Sequence, residues 1–280
     1  MTTRIAAVSV ADALDSAVTA IRAAGSPSAR LDAELLLADA TGIARERLII
    51  DPAAPLDAAA TRTFRSHVRR RSGAREPVAY IVGRRAFRRL DLRVDARVLV
   101  PRPESELLVE LAVEALGPGE RVLDCCCGCG AVALALKDER GDLGVSGSDL
   151  DAGALEVAAA NSKRLRLEVE WLQSDLLDGL DRPDAVVANP PYVPSGEIAS
   201  LEPEVSRHEP RLALDGGTDG LAVLTRLVAQ AGAIGAATLI LEHGEGQSGA
   251  VRALCEAAGF ASCEAHRDLA GIERAVLARR

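Results

Sequence analysis

From Arg121 to the C-terminus, short apolar runs alternate with stretches of helical periodicity, and this limits the fold more than any other feature of the chain. Runs near 121–126, 145–149, 167–172, 184–188, 237–242, 261–266 and 274–278 have the length and composition of strands. Segments near 130–139, 151–163, 218–234 and 247–258 lie between them with helical spacing. That succession predicts an α/β fold built on a doubly wound parallel sheet. Such sheets bind ligands beyond the carboxyl ends of their strands. The residues that end each run are therefore the first candidates for a site.

The first run ends Val122-Leu123-Asp124 and enters Cys125-Cys126-Cys127-Gly128-Cys129-Gly130 ahead of a helix. Strand, small-residue loop and helix form the arrangement in which backbone N–H groups and a tight turn cradle a cofactor. The second run ends at Ser148-Asp149, about twenty residues beyond the loop, where an acid suits ribose hydroxyls. Ser174-Asp175 ends the third and suits an adenine amino group. Either aspartate alone reads as a helix cap or turn; it is the combination that points to a nucleoside-bearing cofactor.

The fourth run, Ala185-Val186-Val187-Ala188, stops at Asn189-Pro190-Pro191-Tyr192-Val193. Two prolines forbid both further ladder donation and a helix. An amide, a fixed carbonyl and a flat ring are thus held at a strand end. The side-chain oxygen of Asn189 and the carbonyl of Pro190 can each accept one N–H of a planar NH2 group. A nitrogen so held turns its lone-pair face to whatever lies above the plane, which for an electrophilic methyl group means N-methylation. Asn-Pro alone is a common turn dipeptide, but after a buried strand and a glycine loop the site reading is the better one.

Four of the six cysteines crowd at positions 125, 126, 127 and 129, which is no disulfide framework. Cys126 and Cys129 formally make C-x-x-C, but zinc sites place their ligand pairs on two segments, and Cys255 and Cys263 lack the spacing. They read as small side chains packing a tight loop, with no metal site. His67, His208, His243 and His266 are scattered and read as structural.

The aromatics are Phe64, Phe87, Phe260, Tyr80, Tyr192 and Trp171, so Ala, Val and Leu must build the core. So few rings also argue against base stacking on single-stranded nucleic acid. Between Arg62 and Arg97 twelve arginines meet three acids, a local +9 within a chain of net charge −8, leaving −17 elsewhere. This segment reads equally as a dock for an acidic partner or RNA and as a solvated face. No run approaches the ~20 apolar residues of a membrane span, and Met1-Thr2-Thr3-Arg4 does not open a signal peptide. The expectation is a cytoplasmic protein.

Ahead of the α/β region, residues 1–75 read as a helical bundle. Val8–Ala24 carries Val10, Leu14, Val18 and Ile21 at helical spacing, with Ser9 as N-cap and Gly25 as stop. Further helices are read from Ser28 to Ala40, around Ala44–Leu48 and over Asp57–Arg71. Residues 76–106 read as a hairpin linker, because Leu90–Val94 and part of Val98–Val100 alternate with period two. A helix to about Leu116 follows, and residues 107–280 form the cofactor-binding domain.

Taken together these segments resemble the HemK/PrmC family of protein-(glutamine-N5) methyltransferases acting on peptide-chain release factors. The resemblance runs through E-P-V-A-Y-I-V-G (76–83), V-L-V-P-R-P-E-S-E-L-L-V-E (98–110), V-L-D-C-C-C-G-C-G-A-V-A-L-A-L (122–136) and N-P-P-Y-V (189–193). It continues in H-E-P-R-L-A-L-D-G-G-T-D-G-L (208–221), L-E-H-G (241–244) and R-D-L-A-G-I-E-R (267–274).

It implies a Rossmann-like class I methyltransferase domain with a mostly parallel seven-stranded sheet, a final antiparallel strand and S-adenosylmethionine as cofactor. A small helical partner-binding domain and the hairpin linker would precede it. The cofactor residues then map to Asp124, Cys126, Gly128, Gly130, Asp149, Leu150, Asp175, Leu176 and Asn189. The glutamine would sit on Asn189, Pro190, Pro191 and Tyr192, with Arg102 and Glu104 at the mouth.

Two positions depart from the family pattern. Cys126 replaces the first glycine of D-x-G-x-G-x-G, which would matter if that position needs positive φ; a loop of D-x-x-C-G-x-G type predicts that binding survives. Ser105 stands where threonine is commoner. Competing readings are the glutamine of another protein such as a ribosomal protein, N6-adenine methylation of nucleic acid, and a non-catalytic binding module. Adenine methylation needs elements to hold a flipped base, for which the chain has no large insertion.

Overall fold

The computed structural model describes residues 8–280, so the Met1–Arg4 segment read for a signal peptide lies outside it. The described residues form two compact units, residues 8–83 with 202–208, and residues 84–201 with 209–280.

The first unit contains α1 (Val10–Ala23), α2 (Ala29–Thr41), α3 (Arg45–Ile50), α4 (Ala58–Ala74) and α5 (Val78–Val82). Ser9 caps α1 by accepting the Asp12 N–H, and Gly25 follows the helix at φ 88°. Val10, Leu14, Val18 and Ile21 pack with Leu36 and Leu37 of α2, Phe64 of α4 and Ile81 of α5. α5 falls in the stretch read as linker. Five residues are too few for helical periodicity to register, and it is bounded by Pro77 and by Gly83 at φ 71°. Beneath α4 the Arg71 guanidinium is 4 % exposed and donates to Asp32 Oδ2 at 2.7 Å and to Ser26 Oγ at 2.9 Å.

The second unit opens with a hairpin, β1 (Arg84–Phe87) and β2 (Leu90–Arg93), paired Arg84↔Arg93 through Phe87↔Leu90. The hairpin was expected, but Leu90–Arg93 pairs with 84–87 and not with 98–100. Arg84-Arg85-Ala86-Phe87 hides its strand character behind two arginines, and only Phe87 is buried. Then follow α6 (Glu106–Ala115), β3 (Arg121–Cys125), α7 (Ala131–Glu139), β4 (Gly144–Asp149), α8 (Ala152–Leu165), β5 (Glu170–Gln173) and β6 (Ala185–Ala188). α9 (Pro203–His208) belongs to the first unit. The second unit resumes with α10 (Ala222–Ile234), β7 (Thr238–Glu242), α11 (Ser248–Ala257), β8 (Ser262–Arg267) and β9 (Glu273–Arg279).

The seven strands lie in the order β5-β4-β3-β6-β7-β9-β8, all parallel except β9, which is antiparallel to both neighbours. This is the mostly parallel seven-stranded sheet expected. One face carries Leu123, Val186, Leu239 and Val276 against Leu224 and Leu227 of α10 and Val251 of α11. α6, α7 and α8 pack on the sheet as well. Chain order reverses direction between β3 and β6, which opens a crevice at their carboxyl ends. Trp171 of β5 fixes the neighbouring backbone. A Cβ on Gly147 would lie 2.4 Å from its ring, and one on Gly130 2.6 Å.

Much of the arginine-rich segment is engaged within the chain: Arg70 with Glu76, Arg88 with Glu139, Arg89 with Asp138 and Arg97 with Asp95. Arg62, Arg65 and Arg69 are exposed along α4. Among the described residues no helix is long and apolar enough to cross a membrane.

Candidate active site

The ends of β3, β4 and β6 converge on one cavity. Asp124, Cys126, Gly128, Asp149, Leu150, Asp175 and Leu176 line one part of it. Arg102, Ser105, Asn189 and Pro191 line another. Gly130, Pro190, Tyr192 and Glu104, also read as site residues, do not line it. Gly130 is spent on packing Trp171, Pro190 is buried, and Glu104 is exposed.

The loop after β3 is closed by its own backbone: Cys127 N–H donates to Ser148 O at 3.0 Å, and Gly130 N–H to Cys127 O at 2.8 Å. Gly128 N–H donates to Asp149 Oδ2 at 2.9 Å, and Asp151 N–H to Oδ1 at 3.0 Å, so both oxygens of the expected ribose acid are oriented. Cys126 sits at φ 61°, the left-handed region where glycine is at ease. The condition raised by its substitution is therefore real, yet the loop closes around it. Leu176, on the same wall, is likewise at φ 59°. Cys125, Cys127 and Cys129 are buried, as packing side chains should be.

Burial pushes the Asp124 carboxyl up to about 7, although its Oδ2 accepts the Ala133 N–H at 2.9 Å. Burial also raises Asp149, against the pull of the backbone donors it accepts. Two carboxyls in a partly apolar chamber suit a ligand carrying positive charge and hydroxyls. Ser148 Oγ, on the cavity wall, is buried with no partner among the described residues. Asp175 is a different case. Arg226 holds its Oδ2 at 2.7 Å, so an adenine would meet an ion pair there rather than a bare carboxylate.

At the other end, Asn189 Nδ2 donates to Ser105 Oγ at 3.0 Å, which leaves Asn189 Oδ1 as an acceptor. Ser105 Oγ donates to Glu242 Oε2 at 2.6 Å, and Tyr192 OH to Glu242 Oε1 at 3.1 Å. Tyr192 therefore faces the carboxylate that closes β7. Arg102 donates to the buried Glu209 at 2.7 Å. Glu242 was not singled out from the sequence. Its signal was an acid following the apolar Leu239–Leu241 run in β7, a strand all five residues of which are buried.

Comparison with known proteins bears on the whole chain. Residues 12–83 match the PrmC N-terminal domain, and residues 103–203 match the methyltransferase small domain. The release factor glutamine methyltransferase of Rhodospirillum rubrum is 39 % identical over 274 residues, covering 95 % of this chain and 84 % of its own. That of Burkholderia pseudomallei is 42 % identical over 263 residues, covering 89 % and 92 %. The chain belongs to the release factor glutamine methyltransferase family. A methyltransferase of Pyrococcus furiosus shares the fold, with TM-score 0.52 and 16 % identity over 69 % of this chain and 90 % of that one.

The family segment D-G-G-T-D-G (215–220) fixes the chain leaving Tyr192. Gly216 N–H donates to Val193 O at 2.9 Å, and Ser195 N–H to Gly217 O at 2.8 Å. Gly220 is at φ 77°, and a Cβ there would lie 2.3 Å from Tyr192 O. Both features forbid a side chain, because the obstacle is backbone. Gly220→Ala is expected to cost about 2–3 kcal/mol and to displace the Asn189–Tyr192 turn. Urea unfolding measures the first effect, and an unchanged midpoint would refute the close approach.

Proposed function

We infer that this protein transfers a methyl group from S-adenosylmethionine to the side-chain amide nitrogen (N5) of a glutamine in a peptide-chain release factor. The observation that carries this is Asn189 at the end of β6, its NH2 spent on Ser105 and its oxygen left to accept. Similarity to release factor glutamine methyltransferases over nine-tenths of the chain supplies the substrate class. We assign cofactor binding to Asp124, Cys126, Gly128, Asp149, Leu150 and Leu176, with Arg226 standing between Asp175 and a direct role. The helical region is assigned to holding the release factor, in the cytoplasm where translation ends.

An amide nitrogen is a poor nucleophile because its lone pair is delocalised into the carbonyl. Bound in the cavity, S-adenosylmethionine supplies an electrophilic methyl group. Asn189 Oδ1 accepts an N–H bond of the glutamine and turns its lone-pair face toward that group. The same acceptor stabilises the positive charge that develops on nitrogen. No base has to remove a proton beforehand; as the sulfonium's bond to the methyl breaks to leave a neutral thioether, the methylated nitrogen gives up one N–H proton to water.

The test is incubation with labelled S-adenosylmethionine and purified release factor, followed by peptide mass analysis. A single methyl on one release-factor glutamine is the expected product. Cofactor binding without that methyl would overturn the substrate assignment.

A further inference from the structure

Three hydrogen bonds behind Asn189 have a fixed direction. Glu242 is 1 % exposed at the end of β7, with Oε2 on Ser105 Oγ and Oε1 on the Tyr192 hydroxyl. An ionised carboxylate only accepts, so both hydroxyls point their protons at it. Ser105 has a single proton. Having given it to Glu242, it can meet Asn189 only as an acceptor, at 3.0 Å from Nδ2. Asn189 must then turn its NH2 to Ser105 and its Oδ1 the other way. The reverse flip would set the Asn189 oxygen against a lone pair and leave buried polar atoms unmatched.

We propose that Glu242, acting through Ser105, is a positioning residue that holds Asn189 with its oxygen presented to the substrate amide. This rests on the glutamine-methylation reading, which requires an acceptor from Asn189. Ser105 and Asn189 are 84 positions apart in the sequence, and Ser105 and Glu242 are 137 apart, so the relay exists only in the folded chain.

The direction depends on the charge of Glu242. A protonated Glu242 donates to Ser105, whose own proton then turns to Asn189. Asn189 accepts it through Oδ1, and its NH2 faces the substrate, where two sets of N–H donors oppose each other. The groups around Glu242 pull both ways. Burial and Glu104, from the 103–105 turn, favour the neutral acid, while Ser105, Tyr192 and Arg274 of β9 favour the anion, and the balance lies at about 7. The acceptor form of Asn189 is thus favoured above neutrality and lost as pH falls through it.

The chain has two asparagines, which makes the test direct. Asn161 Nδ2 donates to Arg93 O at 3.0 Å and Cys129 O at 3.1 Å, away from Glu242, and serves as the internal control. In the full chain labelled with 15N-asparagine, without cofactor, the Asn189 NH2 signals are expected to titrate with a midpoint near 7 while those of Asn161 stay fixed. Glu242→Gln and Ser105→Ala abolish that titration, and Ser105→Thr, which keeps the hydroxyl, preserves it.

In the release-factor assay, Ser105→Ala lowers kcat by about tenfold or more with KM changed by less than about twofold, as expected for lost orientation. Ser105→Thr restores it. Asn189 signals that ignore pH and both variants overturn the proposal, as does full turnover by Ser105→Ala. The spectra need no substrate. A wild-type protein that leaves release factor unmethylated defeats the functional reading alone, while the spectra still decide the relay.

Discussion

Asn189→Ala lowers kcat for glutamine methylation by roughly a hundredfold or more, the scale on which a preorganised polar group at a developing charge acts. The side chain does two things that alanine cannot. Its oxygen orients one amide N–H, and it faces the positive charge that appears on nitrogen during transfer. Binding of the release factor depends on a much wider surface, so KM for that substrate is expected to move little. Steady-state kinetics with purified release factor, alongside circular dichroism to confirm the fold, measure both. Retention of full turnover would remove Asn189 from the chemistry and with it the proposed mode of substrate recognition.

Arg71→Met destabilises the helical unit by about 3–5 kcal/mol, the cost of removing one partner from a buried ion pair. Asp32 is 5 % exposed and loses the guanidinium that donates to its Oδ2. Ser26 Oγ and Glu204 lose the same partner. Adding Asp32→Leu to Arg71→Met is expected to recover much of the loss, because an apolar pair demands no charge compensation. Chemical unfolding together with hydrogen exchange of the α2 and α4 amides reads the effect. A single variant as stable as the parent would show that the pair contributes nothing net.

The catalytic half was more legible than the site's support. Strand ends announce themselves locally: Asp124 and Asn189 each follow an apolar run, Asp149 closes β4, and the structure places all three on one cavity. Gly130 looked like a cofactor glycine, but its missing side chain makes room for Trp171, a neighbour 41 positions away. Tyr192 looked like a substrate platform, yet its hydroxyl goes to Glu242. Ser105 stood out only as a serine where threonine is commoner. The strand at 84–87 carried too little apolar signal to be seen, and the real hairpin became clear only from its pairing with Leu90–Arg93.

What the sequence determined by itself is the order of elements, the parallel core and the chemistry at the strand ends. These follow from periodicity and from residues adjacent in the chain, such as Asn189-Pro190-Pro191. What only the tertiary structure decided is which way those groups point. Asn189 can present either end of its amide, and nothing in its neighbours along the chain selects one. The selection comes from Ser105 and Glu242, brought together by the packing of three segments, because a buried hydrogen-bond chain has one low-energy direction once a carboxylate closes it.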